Sequence, residues 1–221
     1  MNLNEKKSKM IQSYVRTVLG GLLLGLLSLI MLSDAQAKSI IVLGDSISAG
    51  FGMEAEQSWV NLLEQRLEQK FHEEHQVINS SMSGETAAGA ISRLPHLLQS
   101  HQPDIVIIEL GGNDGLPGQS PALIERSLDR LVAMSVEAGA ETLLFGMKIP
   151  PNYGAAYSQA FEANFQRVAE RYDVSLLPFF LEGVAGDDSL MQADGIHPRA
   201  EAQPLLLDNA WPLVEEALQK D

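Results

Sequence analysis

A chain of 221 residues with a formal charge of −14 and no cysteine excludes several classes at once. Thiol catalysis, disulfide bracing and thiolate-bound zinc go together, and the acidic balance repels nucleic-acid phosphates and anionic membranes at long range. With 45% apolar and 20% charged residues, one domain can bury enough apolar surface to stand without disulfides.

The first element is a leader. Lys6, Lys7, Lys9 and Arg16 precede an apolar stretch from Val18 to Leu32, and Ala35-Gln36-Ala37 follows. A charged segment, a short apolar run and an A-x-A site make a secretory signal, with cleavage expected after Ala37. The run is shorter than the roughly 20 apolar residues that a comfortable bilayer span needs, and no cysteine follows it for lipid attachment. Residues 1–37 are therefore expected to be a signal peptide and 38–221 one mature domain, periplasmic or secreted, without a stable membrane anchor. Four of the 15 basic and two of the 29 acidic residues fall in the leader, which leaves −16 on the remainder.

From Ser39 onward, apolar runs alternate with helical periodicity. Ser39–Leu43 reads as a strand, and Ser58–Phe71 as a helix with Trp59, Leu63 and Leu67 on one face. Gln76–Asn79 is a short strand, Ser80–Gly84 a loop, and a helix runs to about Gln99. Asp104–Leu110, with four β-branched residues in a row, is the clearest buried strand, and Gly111–Gly118 is its loop. The next helix has Ser120 as N-cap, Pro121 in its first turn and Gly139 as its stop. Thr142–Met147 is a strand, Ala155–Tyr172 a helix and Val174–Leu177 a short strand. A long loop to Arg199 leads into a closing helix. Single helices between strands imply βαβ units, hence one three-layer α/β/α domain on a five-stranded parallel sheet. The loops after the strands then share one rim.

Every chemically interesting side chain lies in those loops. Gly44-Asp45-Ser46-Ile47-Ser48-Ala49-Gly50 follows the first strand directly, and a glycine-bracketed turn there lifts the Ser46 hydroxyl above the sheet edge. Ser80-Ser81-Met82-Ser83-Gly84-Glu85-Thr86 places Gly84 at the opening of a helix, where its N–H can approach a developing negative charge. Gly111-Gly112-Asn113-Asp114-Gly115 offers the Asn113 amide as a donor. Asp194-Gly195-Ile196-His197-Pro198 supplies a base, His197, and a carboxylate, Asp194, to orient it. Acyl transfer needs a nucleophile, a base, an orienter and oxyanion donors, and the four loops contain each.

Taken singly, these residues have ordinary explanations. A serine in a glycine-serine turn is usually a turn residue, an asparagine after two glycines usually closes its own Asx-turn, and a histidine before proline is usually structural. Competing motifs fail: position 48 is serine, so the G-x-S-x-G elbow is missing, and no Gly-Lys-Ser/Thr follows a glycine-rich turn. His72-Glu73-Glu74-His75 is one residue short of the H-E-x-x-H zinc pattern and sits at the polar end of a helix. No metal and no cofactor is required.

At these loops the chain resembles the GDSL/SGNH hydrolases, within them most the small exported bacterial enzymes described as acyl-CoA thioesterase, lysophospholipase and arylesterase in one. The likeness spans nearly all of 38–215 and rests on the segments 44–50, 83–86, 109–116 and 194–198, with Pro150-Pro151-Asn152-Tyr153-Gly154 and Leu177-Pro178-Phe179-Phe180 in support. It implies a flavodoxin-like sheet and a Ser46–His197–Asp194 triad. It also implies an oxyanion hole of the Ser46 N–H, the Gly84 N–H and the Asn113 side chain. Asp45 would brace the turn beside the substrate, and an open acyl groove would be bordered by loops carrying Leu116, Ile149 and Pro150. Pro117, Gln119 and the acidic 186–189 stretch depart from the pattern and bear on specificity.

The expected function is thus an exported serine ester hydrolase acting on small-molecule acyl esters and thioesters, as a monomer. A carbohydrate O-acetyl esterase is the alternative within the same chemistry; the 6% aromatic content tilts towards acyl chains. An inactive periplasmic binding protein is the alternative from another class, and it would have no need of Asn113 together with the Asp194/His197 pair.

Overall fold

The computed structural model describes residues 2, 7, 10, 37–71 and 74–220. The chain divides into two compact units, Met1–Gln36 and Ala37–Asp221, and all that follows concerns the second. The expected signal peptide falls almost wholly outside the described residues.

Five strands form one all-parallel sheet: β1 (Ser39–Gly44), β2 (Gln76–Asn79), β3 (Ile105–Glu109), β4 (Glu141–Phe145) and β5 (Ser175–Leu177), in the spatial order β2-β1-β3-β4-β5. Ile40–Leu43 of β1 and Ile105–Ile108 of β3 are fully buried. Their uninterrupted apolar runs follow from position, because a central parallel strand is covered by helices on both faces. The edge strands β2 and β5 are short and only partly buried.

Helices α1 (Trp59–Lys70) and α7 (Gln203–Gln219) pack together on one face. The other face carries α2 (Ala87–Ala90), α3 (Leu94–His101), α5 (Pro121–Glu137) and α6 (Ala155–Tyr172). Ser58 caps α1 by accepting the Asn61 N–H at 3.3 Å, and the Trp59 N–H at the same helix end is taken by Gln203 Oε1 at 2.9 Å.

Two departures from the expected elements have simple causes. The single helix expected after β2 is broken into α2 and α3, since Pro95 enters the first turn of α3 and has no N–H for a helix interior. The loop after β3 contains one helical turn, α4 (Gly112–Gly115), entered through Gly111 at φ 112°. A left-handed residue there suits glycine alone among common residues.

Chain connections run outwards in opposite directions from β1 and β3, which makes the carboxyl ends of these two neighbours the switch point of the sheet. Open α/β sheets form their binding crevice there. The loops carrying Ser46 and Asn113 flank it.

Candidate active site

The turn after β1 is tightly built. Gly44 pairs with Glu109 across the sheet, and a Cβ on Gly44 would lie 2.7 Å from Ser48 Cβ and 2.8 Å from Glu109 Oε2. Asp45 Oδ1 accepts the Ile47 N–H at 3.0 Å, an Asx-turn that presents Ser46 at the crevice. Asp45 is buried, and burial first of all pushes its carboxyl from 3.8 up to about 6. Ser46 itself is 8% exposed.

Residues 151 positions apart meet over this turn. The Ser46 hydroxyl lies 2.8 Å from His197 Nε2, and His197 Nδ1 lies 2.7 Å from Asp194 Oδ2. Asp194 Oδ1 accepts the backbone N–H groups of Ile196 at 2.9 Å and His197 at 3.0 Å. The bond from His197, with these two backbone donors, holds the Asp194 carboxyl down at about 2. An ionised Asp194 only accepts, so His197 carries its proton on Nδ1 and offers Nε2 to the serine. Phe51 covers the imidazole, its ring centroid 4.4 Å away.

The expected oxyanion donors converge on the same rim. Gly84 adopts φ 79°; the helix it was expected to open instead starts at Ala87, capped by Thr86. Among the described residues, neither the Ser46 N–H nor the Gly84 N–H donates to a protein acceptor. Asn113 rides on α4, and its Nδ2 donates to Asp45 Oδ2 at 3.1 Å and to Glu85 O at 2.9 Å. Arg93 stiffens this second loop through Glu85 at 2.8 Å and Ser80 O at 2.9 Å.

A cleft of about 340 Å³ opens beside Asn113, lined also by Thr86, Ala88, Asp114, Pro117, Gly118 and Gln119. The groove residues expected from the sequence stand just outside it. Ile149 is buried, with its Cδ1 2.6 Å from where a Gly115 Cβ would sit, so it supports the loop from below. Leu116 is half-buried, its carbonyl held by the Tyr153 hydroxyl at 2.5 Å, and Pro150 is exposed. The Tyr157 hydroxyl faces both Gly115 O at 3.0 Å and Gln119 O at 2.8 Å, tethering the segment that walls the cleft.

Two acidic residues at the site received no role from the sequence. Asp114 is buried and caps α2 through the Ala87 N–H at 2.8 Å, and burial raises its carboxyl. Glu109 lies beneath the nucleophile turn. A lone acid at the end of an otherwise apolar strand was the available signal for it. Of the His72-Glu73-Glu74-His75 segment, His72 and Glu73 lie outside the described residues; His75 Nδ1 accepts the Lys38 N–H at 3.0 Å and its ring stands edge-on to Phe71.

Residues 42–204 match the model of the GDSL-like Lipase/Acylhydrolase family. The chain is 46% identical over 198 residues to esterase TesA of Pseudomonas aeruginosa, covering 89% of this chain and 98% of that protein. It is 43% identical over 182 residues to thioesterase 1/protease 1/lysophospholipase L1 of Escherichia coli, covering 82% and 86%. The crystal structure of the psychrotrophic esterase EstA from Pseudoalteromonas sp., inhibited by monoethylphosphonate, superposes with a TM-score of 0.78 at 39% identity, covering 83% of this chain and all of that one.

Proposed function

Because the chain belongs to the GDSL-like lipase/acylhydrolase family and is a hydrolase of ester and thioester bonds, we propose that Ser46 carries its acyl group through the reaction. The observation that supports this is the unbroken line from Ser46 Oγ through His197 to Asp194, at 2.8 and 2.7 Å. His197 Nε2 takes the hydroxyl proton as Ser46 Oγ attacks the substrate carbonyl carbon. The carbonyl oxygen becomes an oxyanion facing the Ser46 N–H, the Gly84 N–H and the Asn113 amide. His197 then gives its proton to the departing alcohol or thiol, leaving an ester on Ser46. Water, deprotonated by the same nitrogen, releases the acid and restores the serine.

Asp194 holds the imidazole in the required tautomer and faces the imidazolium that forms. The cleft lined by Pro117, Gly118 and Gln119 receives the acyl chain. It holds that chain by apolar contact, and such contact discriminates by only about 1–3 kcal/mol per methylene. Several acyl lengths are therefore accepted. The leader of residues 1–37 directs export, and the mature chain starting at Lys38 acts in the periplasm or outside the cell as a monomer.

The experiment is hydrolysis of p-nitrophenyl esters from acetyl to palmitoyl, with acyl-CoA and lysophospholipid alongside, by wild type and Ser46→Ala. Activity that peaks at medium or long chains and vanishes in a folded Ser46→Ala variant supports this reading. Activity confined to acetyl esters replaces it with an O-acetyl esterase, and undiminished activity in Ser46→Ala removes the acyl-enzyme. N-terminal sequencing of exported protein tests the leader; a mature chain that still begins at Met1 ends that part of the proposal.

A further inference from the structure

The floor of the nucleophile turn is a carboxyl group that the hydrolytic steps leave unused. Glu109 closes β3, is fully buried and sits in register with Gly44 at the end of β1. Its Oε2 accepts the Ser48 hydroxyl at 2.6 Å and the Asp45 N–H at 3.4 Å. Asp45 and Ser48 bracket Ser46 in the chain, so one oxygen grips the turn on both sides of the serine. The Trp59 indole N–H donates to the same Ser48 oxygen at 3.1 Å, and Asn79 Nδ2 holds the Ser48 carbonyl at 2.9 Å.

The other oxygen is different. Among the described residues, Glu109 Oε1 is buried without a hydrogen-bond partner, and no lysine or arginine pairs with this side chain. A carboxylate charge left half-satisfied in an apolar interior costs several kcal/mol. The neutral acid suits an apolar interior better than the charged form does, and its Oε2 still accepts both donors. Burial first, and then the neighbouring Asp45, hold this carboxyl well above the usual range.

We propose that Glu109 is a positioning residue for ester hydrolysis: by gripping Ser48 Oγ and the Asp45 N–H it sets the Ser46 hydroxyl against His197 and aims the Ser46 N–H into the crevice. The inference rests on Ser46 being the nucleophile. Glutamine at position 109 has the shape of the neutral acid, with an oxygen for the same two donors and no proton to lose. Alanine leaves both donors unpaired in a buried space. The titratable group beside Glu109 is Asp45, which itself feels His197 and Asp114. Replacing Glu109 therefore changes the pH response of this carboxyl pair and leaves the His197–Asp194 bond in place.

The test measures kcat and KM for a p-nitrophenyl ester in wild type, Glu109→Gln, Glu109→Ala and Ser48→Ala, with melting temperatures from pH 5 to 9. Each protein is also labelled with a p-nitrophenyl alkylphosphonate and the site mapped by mass spectrometry. Glu109→Gln is expected to keep most of kcat and to lose less melting temperature than wild type as pH rises. Glu109→Ala and Ser48→Ala are expected to lose about 10- to 100-fold in kcat with KM little changed, the usual cost of a misplaced reacting group. Should Glu109→Ala not fold, Ser48→Ala and Glu109→Gln decide. Wild-type kcat in Ser48→Ala overturns the clamp, as does a kcat loss in Glu109→Gln of at least tenfold; parallel melting profiles for wild type and Glu109→Gln overturn the neutral acid. Phosphonate on Ser46 with unchanged kinetics in the variants sinks the clamp alone, whereas phosphonate on another residue sinks the nucleophile itself.

Discussion

Asn113 is held by Asp45: its Nδ2 donates to Asp45 Oδ2 at 3.1 Å, and its remaining hydrogen goes to Glu85 O at 2.9 Å. The amide is thus aimed before a substrate arrives, and an oxyanion has only to draw one hydrogen from an existing partner. Preorganisation of this kind is where oxyanion donors gain their value, because the amide is already in place and exchanges only one hydrogen bond as charge develops.

That relationship sets the first prediction. Asn113→Ala should lower kcat by about 10²- to 10³-fold. Asp45→Asn should also lower it, because Asp45 accepts from Ile47 N–H with one oxygen and from Asn113 with the other; an asparagine can satisfy only one of them. Full activity in Asp45→Asn, measured by steady-state ester hydrolysis, would show that Asn113 needs no such partner.

The triad gives a second. Asp194→Asn should leave the fold intact and reduce kcat by roughly 10⁴-fold through the wrong imidazole tautomer. Since the bonds from His197 and two backbone N–H groups hold the Asp194 carboxyl down at about 2, it stays ionised through the assay range. Asp194 should therefore add no protonation to the acid limb of kcat/KM in wild type, whereas Asp45, pushed up to about 6 and holding Asn113, should add one. An inflection in the ordinary aspartate range, roughly pH 4, would mean that Asp194 is less well held than the three bonds it accepts indicate.

Stability should depend on pH in an unusual direction. Asp45 is pushed from 3.8 to about 6, and burial also raises Glu109 and Asp114. A group with a raised folded-state value stabilises fully below its unfolded value and loses that contribution as pH rises through the folded one. For Asp45 alone the loss is on the order of 3 kcal/mol. Melting temperature should accordingly fall between pH 4 and pH 7, and a rise across that interval would contradict the buried carboxyls.

Phe51 supplies a fourth. Its ring lies 4.4 Å from the His197 imidazole that protonates the leaving group, and is 47% exposed. Phe51→Ala should raise KM for aryl esters by about fivefold, the equivalent of one aromatic contact of roughly 1 kcal/mol, and change KM for alkyl esters less. Equal changes for both ester types would separate Phe51 from the leaving group.

Much of this molecule was legible in one dimension. Alternating apolar runs and helical periods dictated a parallel sheet, since strands joined by single helices can return only as right-handed crossovers. The Asp194–His197 bond was readable from a spacing of three residues, because Gly195, at φ 67°, lets the chain turn back on itself. The break in the helix after β2 is not legible, because Pro95 is compatible with either a helix interior kink or a fresh first turn, and packing chose the second. Glu109 looked like the polar end of a strand. Only the register that sets it against Gly44, under a sheet closed on both faces, makes it a buried acid beneath the serine. The contact between Ser46 and His197 belongs to the same category: local sequence favours each loop separately, but a 2.8 Å approach across 151 residues exists only once β1 has paired with β3 and α7 has docked.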